Sequence, residues 1–185
     1  MIKRFIQKVS IFALLFFLFP SSFAQQGFSN DTLQWNAARP LNWNDFKGEP
    51  IEGINEFGEA FCMNFATVER PSPFQKTSYK VIPLFDRQKS WILDIGKTET
   101  HLLYFQSMFD IYEVHARLLR KEFHSTKFGS DPTAVFQEKY NASMNNLLNE
   151  FNLFRKETKL GQDENALNIW KEKLAAELKD LEDYK

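Results

Sequence analysis

Apolar positions at steps of three and four dominate the second half of the chain. Leu102, Phe105, Phe109, Tyr112, Ala116, Leu119 and Phe123 form one stripe, widened by Tyr104, Met108, Ile111 and Leu118. Thr98 is its N-cap, with Glu99 in the first turn, where a negative charge suits the helix dipole. A helix apolar over so much of its circumference belongs at the centre of a domain. A second helix starts at Asp131-Pro132, cap followed by N1 proline. It carries Phe136, Tyr140, Met144, Leu147, Phe151 and Phe154 on one stripe and is stopped by Gly161. A third helix has the stripe Leu167, Trp170, Leu174, Leu178 and Leu181.

The first half alternates instead. Phe61, Met63 and Phe65 stand between small or polar neighbours, the period of a strand, and Cys62 between them reads as a buried, inert thiol. Tyr79 to Phe85 and Trp91 to Ile95 read as two further strands, with Asp86 to Ser90 as a tight connection. Pro83 lacks a ladder donor and places its strand at a sheet edge or a bulge. Gly48 to Gly58, with three glycines and Pro50, is loop, and Pro71-Ser72-Pro73 is a turn. Leu33 to Lys47, with Trp35, Leu41, Trp43 and Phe46, lies on the domain and includes a short strand. The expected architecture is α+β: a small, mostly antiparallel sheet packed on a central helix, plus two C-terminal helices.

The N-terminus changes the picture of where the protein works. Lys3, Arg4 and Lys8 precede an apolar run from Ile11 to Phe19, and Ser22-Phe23-Ala24 offers small residues before a cut at Gln25. The run is shorter than the ~20 residues that a membrane span needs. Residues 1–24 are therefore expected to be a signal peptide, 25–32 a flexible lead-in and 33–185 a single domain, exported to the periplasm or the extracellular space. Cleavage leaves 161 residues with 20 basic and 24 acidic side chains, a mildly acidic domain without a nucleic-acid footprint. Cys62 is the only cysteine, so no internal disulfide forms and stability must come from packing.

Four segments in order resemble an exported bacterial family known as "domain of unknown function 922". Leu41-Asn42-Trp43-Asn44-Asp45-Phe46-Lys47-Gly48 is similar to that family's L-x-W-x-D-F-x-G opening. Phe85-Asp86-Arg87-Gln88-Lys89-Ser90-Trp91 is similar to its F-D-x-x-x-S-W. Phe109-Asp110-Ile111-Tyr112-Glu113 with Ala116, Arg117 and Leu119 is the third, and Glu157-Thr158 through Gly161 to Trp170 the fourth. The resemblance implies a zincin-like fold with an H-E-x-x-H helix. There, two imidazoles one turn apart hold zinc and the glutamate takes a proton from bound water.

In register, Tyr104 stands at the first histidine, Phe105 at the glutamate and Met108 at the second histidine. Leu160 replaces a further histidine near the C-terminal motif, while Phe154 and Arg155 replace a tyrosine and an aspartate. Zinc needs nitrogen, thiolate or carboxylate donors. Replacing polar groups together by bulky apolar ones points to a repacked site rather than a damaged one. The expectation is a pseudoenzyme with no catalytic residue, metal or cofactor, binding a protein or peptide. Asp110, Glu113 and Arg117 would be a residual second shell, with Glu113 and Arg117 also spaced for an i,i+4 ion pair. Two alternatives stay open: a hydrolase with a rearranged site around Asp110, Glu113 and His115 or His101, and a structural envelope protein. None of His101, His115 and His124 is spaced three or four residues from another.

Overall fold

The structure, a computed structural model, describes residues 29–51, 57–70 and 74–185. The expected signal peptide, the first half of the expected lead-in and the Pro71-Ser72-Pro73 turn lie outside the described residues. Among the described residues, five strands precede three α-helices: β1 (Thr32–Gln34), β2 (Gly58–Glu59), β3 (Cys62–Glu69), β4 (Ser78–Asp86) and β5 (Trp91–Ile92), then α1 (Glu99–Ser125), α2 (Pro132–Glu157) and α3 (Glu164–Asp180). One antiparallel sheet has the order β1-β4-β3, and β2 pairs with β5 in a second antiparallel ribbon. The α+β layout is the expected one. Among the described residues no helix is long and apolar enough to cross a membrane.

All three helices start on their caps. Thr98 accepts a hydrogen bond from the His101 amide, Asp131 from those of Thr133 and Ala134, and Asp163 from that of Ala166. Helix α1 packs against β3 and β4 on one side and α2 and α3 on the other. Phe85, Phe109 and Ile111 share one core cluster with Phe154, Leu167, Trp170 and Leu174. A smaller cluster forms around Phe123, Phe128, Phe136 and Val81.

The expected strand around Met63 forms as β3, in which Asn64 is buried and Phe65 exposed, while Cys62, Ala66 and Val68 pack against the cores. Helix α1 passes close enough for Asn64 Nδ2 to reach the Tyr112 carbonyl at 3.0 Å, so the inward positions are small. Three expectations about the first half need correction. β4 is the central strand, not an edge. The Pro83 carbonyl accepts from the Trp35 amide at 3.1 Å, just past the end of β1. In an antiparallel ladder a residue's N and C=O face the same neighbour, so the missing Pro83 donor points where β1 has ended. The strand expected from Trp91 to Ile95 stops at Ile92, because β2 offers only two partners; Asp94–Gly96 is a 3-10 turn. Residues 29–32 are docked rather than free: the Ser29 amide and hydroxyl donate to the two Asp86 carboxylate oxygens, each at 2.6 Å.

The first two motifs meet each other. Asn42 and Asp45 close a capping box, and buried Asp45 also binds Arg39 at 2.7 Å. Asp86 accepts from the amides of Gln88 and Lys89, and Ser90 Oγ donates to the Asp86 carbonyl. The Lys47 amide then donates to Arg87 O, and that of Gly48 to Ser90 O at 2.8 Å. A Cβ on Gly48 would stand 2.8 Å from Gln88 O, so these two backbones touch only because the residue is glycine. Both motifs build scaffold.

Candidate functional site

Helix α1 presents chemistry on two faces. On the first, Tyr104 is 6 % exposed and its ring stacks on Phe154 at 5.1 Å between centroids, 14° apart in plane. Phe154 sits edge-on to Trp170 at 5.3 Å. The loop after α2 closes over the same ring: Gly161 has φ +88°, and a Cβ there would lie 2.9 Å from Tyr104 Cγ. Thr158 is fully buried and holds that loop, donating to Phe154 O and accepting from the Asp163 amide. Trp170 Nε1 donates to Glu157 at 2.8 Å. The C-terminal motif is thus a clamp on Tyr104.

Tyr104, Phe105 and Met108 floor an open cleft of about 430 Å³. Its walls are the segment from Gly58 to Cys62 and, from α2, Phe151 and Arg155. Burial, then the Asp110 carboxylate, pushes the Cys62 thiol up, and burial does the same to the Tyr112 phenol. Both stay protonated at neutral pH, and neither is an activated nucleophile. Leu160 was expected in this cluster and is not there. It is 38 % exposed, at φ +58° in the turn that ends α2, and lines a separate small pocket with Tyr104, Phe105 and His101. Gly161, not Leu160, meets the Tyr104 ring; that position was legible only as a helix stop.

These side chains do not fit zinc. The turn that would carry ligands offers a ring-stacked phenol, a phenyl and a thioether, with a neutral thiol opposite. Among the described residues no group of three or more His, Cys, Asp or Glu side chains is placed to hold a metal ion.

The second face of α1 is polar. Asp110 Oδ1 accepts from Trp35 Nε1 at 2.7 Å and from Gln106 Nε2 at 2.8 Å, while Gln106 Oε1 accepts from the Leu41 amide. Burial nevertheless raises the Asp110 carboxyl above the usual range, with Glu113 adding to it. The expected ion pair is formed: Arg117 Nε lies 2.6 Å from Glu113 Oε1, and Arg120 adds a second cation at 3.3 Å. The arginines also tie the helix to its surroundings. Arg117 donates to Leu178 O, and Arg120 to Val81 O and Tyr184 O. This layer floors a groove of about 890 Å³ between β4 and α3.

The rearranged site around Asp110, Glu113 and a histidine is not assembled. His115 points away and lies 2.7 Å from Glu150 of α2, which Lys173 of α3 also pairs with. His101 sits at the start of α1, with Nδ1 2.8 Å from Gly96 O. His124 is exposed near the far end of α1. The His115–Glu150–Lys173 cluster joins three helices, so spacing along one helix gave no sign of it.

No family model, no curated protein and no solved structure matches the chain.

Proposed function

We propose that this is an exported, catalytically silent domain of zincin-like, peptidase-related fold that binds a protein or peptide in the cleft over Tyr104 and Met108. The family resemblance supplies the peptidase relation, and the N-terminal pattern supplies export. The observation that carries the silent reading is the packing of Tyr104 between Phe154 and the Gly161 loop. A side chain held between two packed groups in that way is built as core, and relaxing it toward a ligand would forfeit the ring stack. The cleft beside it stays open, with aromatic and apolar lining and Arg155 at its wall, which suits a segment of polypeptide.

The test uses residues 25–185 purified without added metal. Elemental analysis is expected to find zinc far below one per chain, and casein to survive incubation. Stoichiometric zinc, removed by chelator together with proteolysis, ends this reading. Capture on an array of unstructured peptides is expected to fall in Arg155→Glu at unchanged thermal midpoint. Equal capture by both proteins would move the binding surface out of the cleft.

A further inference from the structure

We infer that the groove on the opposite face of α1 is a recognition site for an acidic peptide segment. It is distinct from the aromatic cleft and does not depend on the reading of that cleft.

The groove has a positive field in a chain whose formal net charge is −1. Its acidic members are already engaged, Asp110 by the neutral donors of Trp35 and Gln106. Glu113 is held by Arg117 and Arg120, and Glu182 by Lys185 at 3.1 Å. Lys80 on β4 and Lys171 and Lys179 on α3 also line it, all exposed. None of the three makes an ion pair among the described residues. The lysines thus stand on the two opposite walls, strand and helix. Between them lie apolar surfaces from Ile82, Pro83 and Leu178, and the Trp35 ring with the Arg117 guanidinium 5.3 Å from its centre.

The backbone beside this groove narrows the mode of binding. β1 ends at Gln34, so β4 from Lys80 to Pro83 has an open edge there. An open edge ordinarily invites an added strand. Here Arg120 Nε and Nη2 both occupy Val81 O, at 3.1 and 2.8 Å, and the Trp35 amide occupies Pro83 O. Pro83 has no N–H to give. With the ladder blocked, a bound chain must be read through its side chains. The side chains on offer are cations flanking apolar surface, and the complement is a segment mixing carboxylates with apolar residues. At about 890 Å³ and open to solvent, the groove is larger than a single small anion needs.

The probe is a fluorescein-labelled peptide of glutamate, serine and leucine, compared with the same peptide carrying lysine for glutamate. Both are titrated by anisotropy at low salt against residues 25–185. The acidic peptide is expected to bind, more weakly as salt is added, and the basic one not to. Reversing two groove charges in the pair Lys171→Glu and Lys179→Glu is expected to weaken binding by about tenfold. The thermal midpoint should stay unchanged, because both side chains are exposed. The control pair Lys127→Glu and Lys156→Glu and the cleft variant Arg155→Glu are each expected to leave binding within about twofold. Absence of binding, equal binding of both peptides, or equal weakening by groove and control pairs would overturn the proposal. So would loss in Arg155→Glu, which would place the peptide in the cleft. Displacement by inorganic phosphate where chloride at equal ionic strength has no effect would make the groove a small-anion site instead.

Discussion

Tyr104 owes its position to two neighbours that can be changed one at a time. At Gly161 a side chain meets both a positive φ and the Tyr104 ring. Gly161→Ala is expected to cost at least about 1 kcal/mol in urea unfolding. Phe154 is fully buried between Tyr104 and Trp170. Phe154→Ala should cost ~3–5 kcal/mol, with an unchanged denaturant slope. A smaller loss at both positions would mean that the clamp is loose and Tyr104 free to move. Asp110 gives a prediction of opposite sign. Its folded carboxyl titrates above its ordinary value, so the charged form is disfavoured by folding and the cost is present above the folded value. Asparagine keeps an acceptor for Trp35 and Gln106 and removes the charge. Asp110→Asn is expected to melt at or above the wild-type midpoint at pH 7, with the difference vanishing in acid. A clear fall at pH 7 would show that the ionised carboxylate is needed.

The helices were legible element by element, because caps and the 3.6-residue stripe act within one segment. Thr98 and Asp131 each cap a helix as their residue types predict, whereas α2 ends at Glu157 with Thr158 as its C-cap, four residues before the expected stop at Gly161. Strand faces were not. Both sets of β3 are mixed, Met63, Phe65, Thr67 and Glu69 at odd positions and Cys62, Asn64, Ala66 and Val68 at even ones, and the even set is the one turned inward. What decides is the space under the helix, and no alternation records that. Between elements, Glu150 joins α2 to His115 and Lys173. The hydrogen bond with His115, which outweighs the opposing effect of burial, and the Lys173 ammonium hold its carboxyl down at about 2, from an ordinary 4.5. A depressed folded pKa gives stability that is present above 4.5 and lost as pH falls toward 2. Glu177 beside it is raised, mainly by burial, and works in the other direction. Glu150→Gln is expected to lower the thermal midpoint at pH 7 and to flatten the acid limb between these values. An unchanged acid limb would mean that the loss of stability there comes from other carboxylates.

In the molecule as a whole, Glu113 is the point through which α1, β4, α3 and the C-terminal turn are joined, since both of its arginine partners also bind backbone of those elements. Removing a buried partner leaves charge uncompensated. Glu113→Ala should cost ~3–5 kcal/mol in denaturant unfolding, and loosen α3 and the C-terminal turn first in hydrogen exchange. Loss confined to α1 would show that the network is local. The sequence by itself determined the α+β order, the starts of α1 and α2, the Glu113–Arg117 pair, and that Tyr104, Phe105 and Met108 share one helical turn. All of these follow from interactions a few residues apart, where chain geometry fixes who meets whom. Only the tertiary structure decided that Gly161 rather than Leu160 covers Tyr104, that His115 belongs to Glu150, and that the first two motifs dock on one another. It also decided that the polar face of α1 opens on a groove with lysines on both walls. Those contacts join segments from 35 to more than ninety residues apart, and their partners are set by how helices and sheet pack.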